Sequence, residues 1–326
     1  MMVHQLWRQF PKVQRQLLLL QPYLLKAAAL PNQPIHTKIL ELLKSGGKLL
    51  RPGFFYLFSE FGDAKNTKHL RAGAAAVELL HLATLIHDDV IDDSPLRRGV
   101  KTIHTEYGQR NAIYAGDYLF TCYFNQVMLS TDDQAIFREH VSSMQQILVG
   151  ELDQMALNFR QDATQTDYFH EITGKTAVLF ELACKQGAVL ANSPESVQKL
   201  APQIGRKIGQ AYQVLDDILD YAGDTAKTQK PVLEDLKSGV YSLPLLMALS
   251  HNQTVFKPLL DKREHMSDED VLTVRRLVLA NQGITDAQAI STQLTAEAQA
   301  LIAQLPASKA RDNIAQLTNW LLTRNQ

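Results

Sequence analysis

The stretch that most constrains the fold is residues 70–92, LRAGAAAVELLHLATLIHDDVID, where Ala, Leu and Val run on without the alternation of a β-strand. Similar helical patterns cover residues 109–130, 133–160, 167–191 and 195–222. The sequence has no Asn-Gly hairpin turn and no sustained alternation, and Pro and Gly lie between the helical segments. It therefore predicts an all-α protein, with one long irregular segment at residues 223–239 that we expect to be functional.

The charge and cysteine content narrow the function and the cellular compartment. The 326 residues include 33 Lys and Arg against 34 Asp and Glu, and no basic stripe carries interleaved aromatics, so nucleic-acid binding is disfavoured. Cys122 and Cys184 lie far apart without metal-ligand spacing, so we expect buried, reduced thiols and a cytoplasmic protein. The amino-terminal segment is broken by charges and by Pro11, which predicts neither a signal peptide nor a transmembrane helix.

A cluster of four aspartates lies in LIHDDVIDDSPLRRG: Asp88, Asp89, Asp92 and Asp93. At about 100° per helical residue, Asp88 and Asp92 share a face and Asp89 flanks them. Carboxylates this close raise one another's pKa unless cations lie among them. Oxygen-only donors favour a hard cation such as Mg²⁺, which is commonly shared with substrate phosphates. For a single motif of this kind, a solvated acidic helix end is the alternative interpretation.

A second aspartate cluster repeats this spacing much later in the chain. The segment AYQVLDDILDYAGD places Asp216, Asp217 and Asp220 near the end of another apolar helical stretch. Two such helix ends can face each other across a cavity and hold metal ions that bridge one diphosphate. The repetition in a matching helical context favours function over chance.

Basic residues lie where a diphosphate site needs them. They are Lys48 and Arg51 after a glycine pair, Arg97 and Arg98 after the first aspartates, Lys175 in ITGKTAVLF, and Lys227, Lys230 and Lys237 in the 223–239 segment. Arg offers bidentate donors and Lys a compact charge to phosphate oxygens, although each residue alone is typical of a surface charge. His81 lies on nearly the same helix face as Asp88 and alone is typical of a buried histidine. Together they predict a cavity with metal-binding acids and two anion-binding sets.

These motifs resemble those of the trans-type isoprenyl diphosphate synthases, also called polyprenyl synthases. The resemblance runs from about residue 35 to about residue 250 and includes, in order, GGKLLRP, LLHLATLIHDDVIDDSPLRRG, AGDYLF, GELDQ, TGKTA, YQVLDDILDYAGD and DLKSGVYSLPLL. It implies a single polyprenyl synthase domain over residues 1–326, folded as one antiparallel helical bundle around a deep central cavity. It also implies a prenyltransferase that uses Mg²⁺.

The resemblance assigns a role to each matching residue. The metal ions and the allylic diphosphate are assigned to two aspartate sets: Asp88, Asp89 and Asp92, and Asp216, Asp217 and Asp220. Four further residues match positions that bind the same diphosphate: Arg97, Lys175, Gln213 and Lys230. Four match the site for isopentenyl diphosphate: Lys48, Arg51, His81 and Arg98. Thr176 matches a position that lines the reaction centre, and Gln154 one near the reacting carbon.

The mechanism that the resemblance implies depends on charge. Metals and basic side chains neutralise the leaving diphosphate, the allylic carbon–oxygen bond ionises, and isopentenyl diphosphate attacks the cation through its double bond. The released diphosphate takes the proton, so no side-chain base is expected. Water must be excluded, and the 223–239 segment is expected to act as a lid. Membrane contact is expected only transiently, through the product.

Product length is expected to depend on the positions four and five residues before Asp88. A bulky aromatic there ends elongation early in the family, whereas this chain has Thr84 and Ala83. At about one isoprene unit per helical turn of about 5.4 Å, we expect a product of about six to eight units, of the kind used for quinone side chains. The alternatives are that Ala83 only packs against a neighbouring helix, and that the product is geranylgeranyl or farnesyl diphosphate.

Three positions depart from the family pattern: Leu49 replaces an arginine, Gln229 replaces a glycine, and Val240 stands where a lysine is common. The last departure resembles the catalytic subunits of heteromeric medium-chain synthases, in which a small subunit completes the pocket. We therefore expect a homodimer or a heterodimer with a small subunit. A terpene cyclase is disfavoured because its second motif usually carries Asn, Ser and Glu. A non-catalytic subunit is disfavoured because such subunits generally lack an aspartate motif.

Overall fold

The computed structural model describes residues 3–63, 66–222 and 233–322, apart from the side chain of Glu234. The α-helices in these ranges are α1 (Pro11–Ala27), α2 (Gln33–Lys44), α3 (Leu50–Ser59), α4 (Thr67–Ile91), α5 (Ile103–Tyr107), α6 (Gln109–Ser130), α7 (Gln134–Leu157), α8 (Gln165–Ile172), α9 (Val178–Leu190), α10 (Glu195–Ala222), α11 (Glu234–Lys237), α12 (Leu243–Leu260), α13 (Asp268–Ala280), α14 (Gly283–Ala303) and α15 (Lys309–Leu322). Two 3₁₀-helices, Gln5–Gln9 and Arg263–His265, and a π-helical turn, Thr173–Ala177, complete the helical elements of these ranges.

The prediction of an all-α fold is confirmed, with one small exception. Strands β1 (Leu96–Arg97) and β2 (Val100–Lys101) form an antiparallel hairpin, the one sheet within the described residues. In those same ranges no helix combines the length and the apolar character needed to cross a membrane. Cys122 and Cys184 are buried and unpaired, as expected.

The chain divides into two compact units. The first comprises Met1–Met144, Leu179–Gly205 and Leu305–Ile314, and the second comprises Gln145–Val178, Arg206–Gln304 and Ala315–Gln326.

In the first unit, α4 packs along α6 and also contacts α1 and α3. Small side chains such as Ala75 allow close packing of α4, while α3 buries Phe54 and Phe58 completely. Trp7 is fully buried, and its indole Nε1 donates a hydrogen bond of 2.6 Å to the carbonyl oxygen of Lys48. A side chain at Gly53 would overlap that indole, since its Cβ would lie 1.9 Å from the ring. The GGKLLRP segment is thereby fixed against the amino terminus.

Several predicted helices have the expected bounds. α6 and α10 coincide with the predicted ranges, and α4 begins after Asn66, whose side chain caps the helix by accepting a hydrogen bond from the His69 amide. α7 ends at Leu157, three residues before the predicted end. Shortly after it, Phe159 takes a left-handed conformation with φ 62°, and its N–H donates to the Gly239 carbonyl at 2.8 Å.

In the second unit, α8 begins with a capping box between Thr164 and Asp167. Helix α12 packs against α8, α13 and α14. The segment at residues 223–239 is only partly as expected, because its residues 234–237 form helix α11. Lys227, Gln229 and Lys230 lie outside the described residues, and the expected lid stays a prediction.

Candidate active site

The first aspartate motif lies at the carboxyl end of α4. Asp89 is buried, with 2% of its surface exposed, whereas Asp88 is half-buried and Asp92, the residue that caps the helix, is exposed. Arg97 Nε donates a hydrogen bond of 2.5 Å to Asp89 Oδ1. Burial raises the pKa of the Asp89 carboxyl, and the Arg97 charge opposes that shift. Its other oxygen, Oδ2, is buried and has no hydrogen-bond partner among the described residues.

The hairpin directs the two adjacent arginines to different partners. Arg98 and Gly99 form its two-residue turn with φ angles of 54° and 77°, the left-handed pair that a tight hairpin requires. Arg97 then contacts Asp89, whereas Arg98 lies against Gly47, where an added Cβ would be 2.8 Å from Arg98 Nη1. This hairpin was not predicted from the sequence, although Gly99 after the arginine pair is a signal for it.

Arg51 and His81 contact each other at the start of α3 and in the middle of α4. Arg51 Nη1 donates to His81 Nε2 at 3.1 Å, and the Arg51 guanidinium lies 4.8 Å from the centroid of the Phe180 ring. Burial, together with the charges of Arg51, Arg98 and Arg97, lowers the pKa of His81 well below its ordinary value. His81 is therefore a neutral acceptor toward Arg51, which leaves its Nδ1 to carry the ring proton.

A cavity of about 180 Å³ adjoins these residues and is lined by Gly47, Leu49, His81 and Arg98, among others. Leu49 precedes α3 with φ 48°, a left-handed conformation that is strained for a branched side chain. Three of the four residues predicted to bind isopentenyl diphosphate, Arg51, His81 and Arg98, thus lie in one cluster of the first unit, and the Lys48 backbone is fixed beside it by Trp7.

Glu78 also belongs to this cluster, although it was not predicted from the sequence. It lies one helical turn before His81, is 8% exposed and lines the same cavity. Burial raises the pKa of Glu78 to about 7, while the charges of Arg51 and Arg98 lower it. Its spacing of three residues from His81 in the helix was the available signal.

The pKa of Glu78 predicts a pH dependence of stability. The pKa of Glu78 is about 7 in the folded protein, above the ordinary glutamate value of 4.5. The protonated carboxyl therefore stabilises the folded state. This contribution to the unfolding free energy is complete below pH 4.5 and is lost as the pH rises through 7. Between about pH 5 and about pH 8 this loss is on the order of 2 kcal/mol of unfolding free energy. Urea unfolding at each pH should show that Glu78→Gln removes this slope. Parallel pH profiles for the two proteins would contradict the assignment.

The AGDYLF motif supports the residue that precedes Asp88. The His87 ring stacks on Phe120 with centroids 5.2 Å apart, and its Nε2 lies 3.2 Å from Asp117 Oδ1. A Cβ at Gly116 would lie 2.3 Å from this ring, so only glycine leaves room for it. The AGDYLF motif therefore stabilises the last turn of α4 through its contacts with His87.

The second aspartate motif lies near the end of α10, in the second unit. Asp217 is 8% exposed; Tyr168 Oη donates to its Oδ2 at 2.6 Å, and Gln213 Nε2 donates to its Oδ1 at 2.8 Å. Burial raises the pKa of Asp217 to about 8, and the two hydrogen bonds oppose that shift. Asp216 and Asp220, one turn apart, are exposed. Tyr168 as a partner of this motif was not anticipated.

The GELDQ and TGKTA motifs form one cluster around Lys175. TGKTA is the π-helical turn between α8 and α9, an element often found at functional sites. A Cβ on Gly174 would lie 2.9 Å from Gly150 Cα, so two glycines allow the backbones to touch. This contact places Lys175 Nζ 3.1 Å from Glu151 Oε2 and 2.8 Å from Gln154 Oε1, to which it donates.

Two further hydrogen bonds extend this cluster. Gln154 Nε2 donates to Glu171 Oε1 at 2.5 Å, which orients the amide so that its oxygen faces Lys175. Thr176 Oγ1 donates to Gln213 Oε1 at 2.8 Å, and Gln213 in turn donates to Asp217. Lys175 thus belongs to one hydrogen-bonded chain, with Gln154 and Glu171, and Thr176, Gln213 and Asp217 belong to a second chain in the same unit.

The donor set fits Mg²⁺ that is shared with a phosphate ligand. Within residues 3–63, 66–222 and 233–322, no three His, Cys, Asp or Glu side chains are arranged to hold a metal by themselves. Mg²⁺ typically uses one or two carboxylates together with water and substrate phosphate oxygens, so such a group is not required. The aspartate motifs offer oxygen donors alone, and the buried Oδ2 of Asp89 is an oxygen that a cation would satisfy.

Comparisons with known proteins identify the family of this chain. The polyprenyl synthetase family model matches residues 32–278. The chain is 33% identical to heptaprenyl diphosphate synthase component 2 of Geobacillus stearothermophilus, over 90% of each chain. The solved geranylgeranyl pyrophosphate synthase of Lactobacillus brevis ATCC 367 has a TM-score of 0.95 and 59% identity, covering 98% of this chain and 99% of that one. Heptaprenyl diphosphate synthase of Staphylococcus aureus has a TM-score of 0.91 and 31% identity, covering 96% and 99%.

These matches and the helical fold define an enzyme of the prenyltransferase class, with the all-helical fold of the isoprenyl synthases. The chain belongs to the polyprenyl synthetase family, and the resemblance seen in the sequence is thereby confirmed.

Proposed function

We propose that this chain condenses an allylic diphosphate, such as farnesyl diphosphate, with successive molecules of isopentenyl diphosphate to give a medium- or long-chain all-trans prenyl diphosphate. The observation that carries the proposal is common to both aspartate motifs. In each, the second aspartate is buried and hydrogen-bonded, Asp89 by Arg97 and Asp217 by Tyr168 and Gln213. The first and last aspartates of each motif are more exposed than the second. Fixed carboxylates beside accessible ones suit a metal-bridged diphosphate.

Each residue then has a defined part in the reaction. Bound Mg²⁺ supplies neutralisation of the leaving diphosphate. Asp88, Asp92, Asp216 and Asp220 hold the metal ions, and Asp89 and Asp217 fix the geometry of their motifs as further candidate ligands. Lys175 and Arg97 donate to the allylic diphosphate, so that negative charge developing on its bridging oxygen is stabilised as the carbon–oxygen bond ionises. We assign the same role to Lys230, which lies outside the described residues.

The second substrate binds to the cluster of the first unit in this proposal. Arg51, Arg98 and Lys48 donate to the diphosphate of isopentenyl diphosphate, and the Nδ1 proton of neutral His81 supplies one more donor. Binding of this anion next to Glu78 favours the protonated form of that acid, which keeps like charges apart.

Product length is proposed from the residues before Asp88. Ala83 is completely buried, and Thr84 Oγ1 donates to the carbonyl oxygen of His81 at 2.9 Å, so its side chain folds back onto α4. Neither side chain is large enough to stop a growing chain, which supports the expected product of about six to eight units at about one unit per helical turn. A product of four units is the second candidate, because the Lactobacillus brevis protein with 59% identity is named a geranylgeranyl pyrophosphate synthase.

The change Ala83→Phe is expected to shorten the product. The aromatic ring would occupy volume beside α4 through which the chain is proposed to grow, so the main product should contain fewer isoprene units. Chromatographic sizing of products measures this, with Ala76→Phe, farther from the aspartates on the same helix, as the comparison. An unchanged distribution in the Ala83 variant would place the limit elsewhere.

A dimer is proposed from an apolar stripe on α7. Leu148, Val149, Leu152 and Met155 are exposed and recur at helical spacing on the part of α7 in the second unit. Its partner is a second copy or a small subunit, and the name component 2 of the Geobacillus relative supports the latter.

We further propose a cytoplasmic location, supported by the reduced, buried cysteines.

The deciding experiment is an elongation assay. The purified chain is incubated with Mg²⁺, farnesyl diphosphate and labelled isopentenyl diphosphate, alone and with a candidate small subunit, and the products are sized. Products longer than the primer support the proposal, and their length decides between the two candidates. The absence of elongation under both conditions would reject it.

A further inference from the structure

The first unit contains a second cavity that the proposed reaction does not use. Its volume is about 490 Å³, which is typical of small-molecule sites, and its lining comes from α1, the carboxyl end of α3 and the amino end of α4. Three of its lining residues are cationic: Lys12, Arg15 and Arg71. Among the described residues that line it, Glu60 is the one acid, and burial raises the pKa of that carboxyl.

Two buried donors at this cavity are unsatisfied. The phenolic oxygen of Tyr56 and the Nε of Arg71 are both buried, and neither has a hydrogen-bond partner within the described part of the chain. Tyr56 is 3% exposed, and burial raises the pKa of its hydroxyl, so the hydroxyl keeps its proton and remains a donor. Buried polar groups in folded proteins are nearly always paired, so two unpaired donors beside one cavity need an explanation.

We propose that the cavity lined by Lys12, Arg15, Tyr56 and Arg71 binds a small molecule that carries a phosphate or diphosphate group. Phosphate oxygens are acceptors only, so they suit unpaired donors such as these. The three cations balance the charge of such a group, and Arg71 adds the fork geometry that suits phosphate.

The site is separate from the aspartate motif on the same helix. Arg71 and Asp88 are seventeen residues apart in α4, which corresponds to about 26 Å along the helix axis at about 1.5 Å per residue. Val13, Leu19 and Leu70 also line the cavity and provide an apolar wall. Two ligands carry the phosphate group that this cavity would bind. One is free inorganic pyrophosphate, and the other is a prenyl diphosphate whose first isoprene unit contacts the apolar wall.

Calorimetric titration with inorganic pyrophosphate in EDTA tests the proposal. EDTA removes binding through metal ions, and an Arg98→Gln background weakens the other basic cluster of the first unit, which keeps Lys48 and Arg51. In that background we expect pyrophosphate to bind at the cavity lined by Lys12, Arg15, Tyr56 and Arg71. Adding Lys12→Gln and Arg15→Gln together, or Arg71→Gln, should weaken binding by about tenfold or more, and Tyr56→Phe by several-fold. Lys26→Gln, on α1 but outside the cavity, should leave the affinity unchanged.

Two results would overturn the proposal: unchanged affinity in the Lys12 and Arg15 double variant, or an equal loss in the Lys26 variant. Both replaced side chains of the double variant are exposed, so it decides the question even where Arg71→Gln lowers stability. Repeating the titration with farnesyl diphosphate distinguishes the two ligands. If farnesyl diphosphate binds more tightly than inorganic pyrophosphate, and Arg71→Gln still weakens that binding, the ligand is a prenyl diphosphate. No metal or elongation is involved, so the result is independent of the proposed function.

Discussion

Replacing either Asp88 or Asp216 with Ala is expected to lower metal-dependent turnover by about a thousandfold, with little change in stability. Both residues lie near helix ends, Asp216 is exposed and Asp88 is half-buried, so neither change removes core packing. Each variant protein lacks one carboxylate that the proposed reaction needs to bind Mg²⁺, and the remaining aspartates of the motif repel one another less. Steady-state rates over a Mg²⁺ titration, together with thermal unfolding, measure the two effects.

Asp93→Ala is the matched control for this prediction. Asp93 follows the first motif directly, is exposed, and lies 3.4 Å from His104 Nε2. Because no role in the reaction is proposed for it, turnover should stay within about twofold of the original protein, as for most surface changes. A loss of folded protein in the Asp88 and Asp216 variants that matches the loss of turnover would instead indicate a structural role for both.

The helices were predictable because their patterns are long and local. The Ala-rich run of α4 and the uninterrupted patterns of α6 and α10 specify helix over many residues, so small local errors do not change the result. The grouping of Arg51 with His81 also followed from the sequence, through the resemblance of the motifs that carry them.

Features that depend on two distant backbones were not predictable from the pattern. The touching glycines Gly150 and Gly174 place Lys175, yet each glycine alone is as typical of a helix end. The π-helical turn differs from α-helix by one residue per turn, which no hydrophobic period records over five residues. Glu78 looks like a solvent-facing acid in the sequence, and only the packing of α4 buries it.

The aspartate motifs illustrate the same limit. The sequence predicts Asp88, Asp89 and Asp92 as one set of ligands, because their spacing gives only their positions around the helix. In the structure their burial differs, since Asp89 is buried and accepts a hydrogen bond from Arg97. The second motif repeats this difference with Asp217, whose partners come from α8 and α10. In both motifs the second aspartate is buried and the other two are more exposed. We infer that the buried aspartate orients its neighbours in addition to adding charge.

Lys175→Met is expected to lower kcat/KM for the allylic substrate by about a hundredfold to a thousandfold, the usual loss when one charged donor to a developing anion is removed. Met has nearly the same length and keeps the packing around the π-helical turn, so the effect isolates the charge. Glu151 loses its ion pair, which should cost about 1 kcal/mol of unfolding free energy at most for a half-buried pair. Steady-state kinetics and urea unfolding measure the two quantities.

Lys185→Met provides a control with the same chemistry. Lys185 Nζ lies 2.7 Å from Glu139 Oε1, and its side chain is 34% exposed against 30% for Lys175. Both changes remove one lysine from one lysine–glutamate pair, so the losses of stability should be similar. Only the Lys175 variant should lose activity, because a contact with the allylic diphosphate is proposed for Lys175 and not for Lys185. Equal kinetic losses in the two variants would mean that Lys175 acts through folding alone, and the proposed contact with the leaving group would be wrong.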